Sequence, residues 1–244
     1  MRTWRAAVIG RVPHPGRTFT QGLIEQDGTV WESVGQYGAS ALRRYRLGDG
    51  QAERSAALPA ELFGEGICRL GDVIWQLTWR ERVALRWHAQ TLELAGRVRY
   101  NREGWGICAA DGAVLTSDGS SELVRRDPET LAPQAVIHVR LAGHRVLGLN
   151  DLAWSGGTIW ANVAGTHYLA GIDPASGEVT DIVNARPAAE RHPDPQAIMN
   201  GIAALPAAGE FLLTGKGWRS IRRVRLKPAR EGSARRGLLA GFSH

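Results

Sequence analysis

A short motif returns five times along this 244-residue chain, and its spacing restricts the fold to very few architectures. The motif is a polar or aromatic residue, then Gly or Asp, then an aliphatic residue: Gln21-Gly22-Leu23, Glu65-Gly66-Ile67, Trp105-Gly106-Ile107, Asn150-Asp151-Leu152 and Asn200-Gly201-Ile202. Successive copies stand 44, 40, 45 and 50 residues apart. Periods of that length belong to solenoids and propellers, where one small unit buries its apolar face only by stacking on its neighbours. Each copy is followed by a turn and an apolar strand: DGTVWESV, GDVIWQLT, DGAVLTSD, GGTIWANV and GEFLLTGK. A third strand comes next, with a further turn in which Gly-Asp or Asp-Pro bends the chain (RRYRLGDG, VRRDPETL, AGIDPASGE). Four short strands per unit, with no long helical pattern, predict an all-β, five-bladed β-propeller.

The last unit ends at residues 220–226 and lacks an outermost strand, while residues 6–12 form a strand with no partner in their own unit. Pairing the two closes the ring and hides two sheet edges. Residues 1–227 therefore read as one propeller domain, and residues 228–244 as a basic, disordered tail.

The net charge of +6 raises the question of nucleic acid, but the 30 Lys and Arg are scattered and only residues 227–236 form a basic run. A solvated tail accounts for that run, and no nucleic-acid partner is expected. No stretch reaches the roughly 18 apolar residues of a membrane helix, and no apolar leader follows Met1 to Arg5. The expectation is a cytoplasmic protein without a membrane partner, with secretion as the alternative if the start is misassigned. Cys68 and Cys108 are the two cysteines, too few for a disulfide framework and outside any CxxC spacing; they read as buried small hydrophobes, with a bridge between blades left open.

In a propeller the innermost strand of each blade lines the central channel, so residues in register at its start converge on one mouth. Those positions hold Gln21, Glu65, Trp105, Asn150 and Asn200, functional side chains on a common scaffold, as a binding pocket requires. A second ring follows 14 residues on, at Gly35, Trp79, Gly119 and Ala164, with Lys216 displaced to 16. Trp31, Trp75 and Trp160, inside the second strands, read as core, whereas Trp79 and Trp105 break the apolar register and read as site residues. Glu65 stands in the apolar, glycine-rich Phe63-Gly64-Glu65-Gly66-Ile67, where desolvation raises a carboxyl toward neutrality and suits it to general acid/base work. A salt bridge to a nearby arginine is the alternative. Lys216 is one of two lysines in an arginine-rich chain.

The segments FTQGL, LPAELFGEGI, IWQLTW, EGWGI, SDGSSEL, LNDLAW, IWANV, NGIA and TGKGW, in this order from residue 19 to 218, resemble the plant-type glutaminyl-peptide cyclotransferases, the glutaminyl cyclases of the five-bladed propeller kind. The resemblance implies a general acid/base at Glu65, pocket tryptophans at Trp79 and Trp105, and further pocket residues at Phe19, Gln21, Asn150 and Lys216. Glu65 and Lys216 are the catalytic candidates. One departure stands out, since Ala164 occupies the place of a further family tryptophan, with Gly165-Thr166-His167 after it. The implied reaction is closure of an N-terminal glutamine to pyroglutamate with loss of ammonia, on peptides or proteins, by a monomer without metal or other cofactor. No HExxH or Cys/His cluster offers a metal site and no GxSxG offers a nucleophile. The rival readings are a peptide-binding propeller without activity and, further off, a propeller hydrolase or lyase acting on a cyclic ester.

Overall fold

Each unit starts as a hairpin whose turn the sequence dictates. Asp27 and Gly28 take φ of 52° and 76°, and Asp111 and Gly112 take 44° and 71°. Two left-handed residues in succession make the tight turn whose twist matches that of the strands it joins. The later turns close on Asp-Pro: Asp127 Oδ1 accepts the N–H groups of Glu129 and Thr130, and Asp173 Oδ1 those of Ala175 and Ser176.

The computed structural model describes residues 1–16, 18–191 and 194–229. Strand β1 (Arg2–Pro13) precedes the first unit, β2 (Thr20–Gln26), β3 (Thr29–Val34), β4 (Ala41–Arg46) and β5 (Arg54–Ala57). The second unit is β6 (Gly64–Leu70), β7 (Val73–Thr78), β8 (Val83–His88) and β9 (Leu94–Arg99). The third is β10 (Ile107–Ala110), β11 (Ala113–Ser117), β12 (Glu122–Arg126) and β13 (Pro133–His138). A small hairpin, β14 (Arg140–Leu141) and β15 (His144–Arg145), leads to the fourth unit, β16 (Leu149–Ser155), β17 (Thr158–Val163), β18 (Tyr168–Ile172) and β19 (Val179–Asn184). The fifth begins with β20 (Met199–Ala204), β21 (Glu210–Gly215) and β22 (Ser220–Pro228). Within every unit the strands pair antiparallel in chain order. The innermost strands β2, β6, β10, β16 and β20 pack side by side, and β20 returns to β2, so the units close around an axis as an all-β propeller.

The closing strand does more than expected. β1 pairs antiparallel with β22, from Trp4 opposite Pro228 to Pro13 opposite Ser220, which supplies the missing outer strand. Its first residues also pair in parallel with β19, from Arg2 opposite Asp181 to Arg5 opposite Asn184, and this lengthens it beyond residues 6–12. The buried Asp181 carboxylate fixes the join by accepting from the Trp4 indole at 2.7 Å and the Arg2 guanidinium at 2.8 Å. The fourth and fifth units thereby become one eight-stranded sheet. β22 runs to Pro228 and Ala229 donates to the Thr3 carbonyl, while residues 230–244 of the expected tail lie outside the described residues. No helix among the described residues is long and apolar enough to cross a membrane.

The core lies in layers between units. Trp31, Trp75 and Trp160 are core residues, as expected, and each reaches the next unit: Trp31 donates to the Ala89 carbonyl, Trp75 to that of Pro128, and Trp160 meets Phe211 edge to face at 5.3 Å. The two thiols are unpaired and occupy different layers, Cys68 against Ile107 and Val114, Cys108 against Leu149 and Leu152. Each packs toward the following unit, and the two do not bridge.

Candidate active site

The register of the innermost strands slips at the repeated motif. Pairing jumps between Thr20 and Gly22, Gly64 and Ile67, Leu149 and Leu152, and Met199 and Ile202. A bulge of this kind takes a residue out of the ladder and re-aims its side chain. Gln21, Glu65, Asn150 and Asn200 are the residues released. The third unit reaches the same result differently, because β10 starts only at Ile107 and leaves Trp105 before it. The small residue after each ring position lets the strands converge: a Cβ on Gly106 would stand 2.1 Å from the Asn150 carbonyl oxygen. Asp151 is the one exception in that layer, and its buried carboxylate accepts the Ile202 N–H at 2.8 Å, tying the fourth unit to the fifth at the axis.

All seven expected site residues line one cavity of about 310 Å³. Glu65, Gln21 and Asn150 form its buried floor, and Trp79, Trp105, Phe19 and Lys216 stand around it. Phe63, Ala164 and Ile198 complete the lining. Phe63 is edge-on to Phe19 at 6.2 Å and to Trp79 at 5.5 Å, giving one continuous aromatic side. The Trp105 ring lies over Gly119, where any Cβ would be 2.7 Å from it, which explains the small residue in that ring position. Ala164 leaves its side of the cavity open, and His167 does not reach the lining.

Two groups give the cavity its chemistry. Burial pushes the Glu65 carboxyl well above the ordinary carboxylate range; Lys216 opposes the shift, and the Asp151 carboxylate adds to it. Gln21 Nε2 donates to Glu65 Oε1 at 2.9 Å, and Gln21 Oε1 in turn accepts from Asn200 Nδ2 at 2.8 Å. This chain fixes which way the Gln21 amide faces, so Gln21 serves Glu65. The arginine salt bridge left open from the sequence is not formed: among the described residues the cation acting on Glu65 is Lys216. Lys216 follows β21 in a turn pinned by its own N–H to the Ile198 carbonyl and by Gly217 N–H to the Thr18 carbonyl. Its ammonium lies 4.4 Å from the Phe19 ring centre, and burial lowers its pKa against the pull of Glu65. A carboxyl that holds its proton too well and an amine that holds its own too weakly meet across one small space.

Asn150 Oδ1 is buried with no hydrogen-bond partner among the described residues, an acceptor aimed at whatever enters. Residues 1–226 match the family described as glutamine cyclotransferase. The chain belongs to the glutamine cyclotransferase family. Among curated relatives of this cyclotransferase chain is the glutaminyl-peptide cyclotransferase of Arabidopsis thaliana, 30% identical over 231 residues, covering 91% of this chain and 71% of that protein. Among solved structures, the glutaminyl cyclase of Myxococcus xanthus superposes with a TM-score of 0.87 at 33% identity, covering 94% of this chain and 99% of that one.

Sequence reasoning missed four participants in this cyclotransferase site: Phe63, Ile198, Asp151 and Glu103. A signal for three of them was present, because Phe63, Glu103 and Ile198, like the expected Phe19, each stand two residues before a ring position and so recur in register across the units.

Proposed function

We propose that this chain is a glutaminyl-peptide cyclotransferase that converts the N-terminal glutamine of peptides and proteins to pyroglutamate, working as a monomer without a cofactor. The observation that carries the reading is the buried Glu65, raised in pKa and set against Lys216, in a cavity walled by Trp79, Trp105 and Phe19. The reaction is internal to one residue: the α-nitrogen bonds to the side-chain Cδ, the bond from Cδ to the amide nitrogen breaks, and ammonia leaves. With nucleophile and electrophile in the same residue, the protein's task is to hold the curled conformer and to move protons. The aromatic walls exclude extended rotamers. Glu65 takes the proton released by the attacking amine and gives it to the departing nitrogen, which its raised pKa allows near neutrality. Lys216 stabilises the oxyanion that forms on the amide oxygen bonded to Cδ. Gln21 holds Glu65 in place, and the unpaired Asn150 Oδ1 accepts from the substrate amine or amide. Two buried, unpaired thiols fit a reducing compartment such as the cytoplasm.

The test is to incubate the purified protein with a short Gln-initiated peptide, with and without EDTA, and to follow ammonia and peptide mass against the spontaneous rate. Acceleration that survives EDTA is expected. No acceleration from folded protein would favour a peptide-binding propeller. The open side at Ala164 gives a second expectation: Ala164→Trp adds a wall and lowers KM for glutaminyl peptides. An unchanged or higher KM would show that the gap is used by the substrate itself.

A further inference from the structure

Glu103 occupies a position that none of the assigned roles explains. Its Oε2 accepts from both pocket indoles, from Trp79 Nε1 at 2.9 Å and from Trp105 Nε1 at 3.3 Å. Its Oε1 faces the Arg80 guanidinium at 3.9 Å, and that guanidinium lies 4.0 Å from the centre of the Trp79 ring. One carboxylate oxygen thus joins the two walls, which come from different units. The cause is a break in the repeat. In four units the residue two before the ring position accepts from the second-ring residue of its own unit: Gly35 donates to Phe19, Trp79 to Phe63, Ala164 to Gly148 and Lys216 to Ile198. In the third unit the corresponding Gly119 donates instead to Leu149, and the segment holding Glu103 turns back to the second unit, where Gly104 N–H reaches the Thr78 and Trp79 carbonyls. Glu103 is thereby carried across the seam to Trp79.

We propose that Glu103 is a positioning residue for cyclisation: by holding both indole N–H groups it fixes the angle between the two walls and so selects the curled glutamine. An indole N–H that is partly buried needs an acceptor, and a shared acceptor sets two ring planes at once. Glu103 stands at the rim, half-exposed, and is given no proton to move. The proposal rests on the cyclotransferase reading, and its test separates the two.

The variants are Glu103→Ala, which removes the acceptor, and Glu103→Gln, which keeps an acceptor oxygen and removes the charge. With the Gln-initiated peptide, Glu103→Ala is expected to lower kcat/KM on the order of 10- to 100-fold, the usual cost of a small misplacement of a reacting group, and Glu103→Gln to restore most of it. In a Trp79→Phe/Trp105→Phe background, which has no indole N–H to hold, Glu103→Ala is expected to add little. Independently of turnover, two of the nine indole N–H resonances in the nitrogen-15 spectrum are expected to shift and exchange faster in Glu103→Ala. Glu103→Gln as impaired as Glu103→Ala would overturn the clamp, because the amide oxygen still offers the indoles an acceptor. An undiminished loss in the double-Phe background, or unmoved indole resonances, would overturn the proposal. Wild-type protein that releases no ammonia would refute the cyclotransferase reading, and the indole resonances would still decide the clamp.

Discussion

Glu65→Gln is expected to lower kcat for glutaminyl peptides by a factor on the order of 10² to 10⁴, the range spanned by general acid/base catalysis, with the propeller intact. The substitution keeps size and shape, and the new amide oxygen can still accept from Gln21 Nε2, so the chain from Asn200 through Gln21 survives. What disappears is the group that receives one proton and returns it. Removing a buried carboxyl whose charged form is disfavoured carries no penalty for stability, and the circular dichroism and melting temperature are expected to match wild type or exceed it. Steady-state kcat on a Gln-initiated peptide decides the matter: a retained kcat would take Glu65 out of the mechanism. The wild-type pH profile follows the same logic. Glu65 must be ionised to accept a proton, so kcat/KM falls as the pH drops through a value above the ordinary carboxylate range.

Glu32→Gln is expected to destabilise the protein by about 3–5 kcal/mol. His14 and Glu32 are both fully buried as side chains. His14 Nδ1 faces the Trp218 carbonyl at 3.0 Å, which can only accept, and Nε2 faces Glu32 Oε1 at 2.9 Å. That same oxygen also accepts from the Thr18 and Thr20 hydroxyls at 2.7 Å each. An oxygen accepting on three sides is a carboxylate, so His14 carries protons on both nitrogens and the pair is ionic. Tyr45 adds a contact to the second oxygen, and Arg43 works weakly against the His14 charge. Burial opposes the charge on His14, yet Glu32 and the Trp218 carbonyl outweigh it and leave the pKa raised; burial likewise opposes the charge on Glu32, whose partners leave it lowered. The raised imidazole contributes stability fully below its unfolded pKa of about 6.5 and loses it as the pH climbs through the folded value. The lowered carboxyl contributes above its unfolded value and loses it as the pH falls through the folded one. The pair is therefore strongest between those limits. For a chain of this size the loss corresponds to a fall in Tm on the order of 10 °C. It should be greatest in mildly acidic buffer and shrink toward alkaline pH, where wild type sheds the proton too. A Tm loss that stays constant from pH 5 to 9 would show that the pair is not ionised.

The fold was legible because a β-strand has period two and a propeller has a fixed repeat, so the five motifs had to share one place on five equivalent strands. The same arithmetic brings Gln21, Glu65, Trp105 and Asn150 together, and all four line the cavity. It failed where the units cease to be equivalent. Glu103 leaves the repeat because its segment pairs with the second unit, and no periodic rule foresees a hydrogen bond across that seam. Asp151 was visible as a motif position, but its link to Ile202 needs two non-neighbouring stretches of sequence in contact. The hold of Gln21 on Glu65 was hidden for a similar reason: Asn200, remote in sequence, donates to Gln21 Oε1 and so turns the Gln21 amide N–H toward Glu65. The parallel pairing of β1 with β19 was invisible because Arg2 to Arg5 carries no strand alternation of its own and is ordered by the Asp181 carboxylate.

The double embrace of β1 has a consequence for the order in which the molecule is made. β1 is synthesised before every strand of the five units, yet its partners are β19 and β22, the last of which is the final strand described. Until residue 228 has emerged, the nascent protein is an open arc with two unsatisfied sheet edges, and no local rearrangement can shut it. Closing a loop of nearly the whole chain is slow, and during that wait the exposed edges are available to other nascent copies. Vectorial synthesis thus leaves the seam of β1 with β19 and β22, rather than the catalytic cavity, as the last part of the molecule to form.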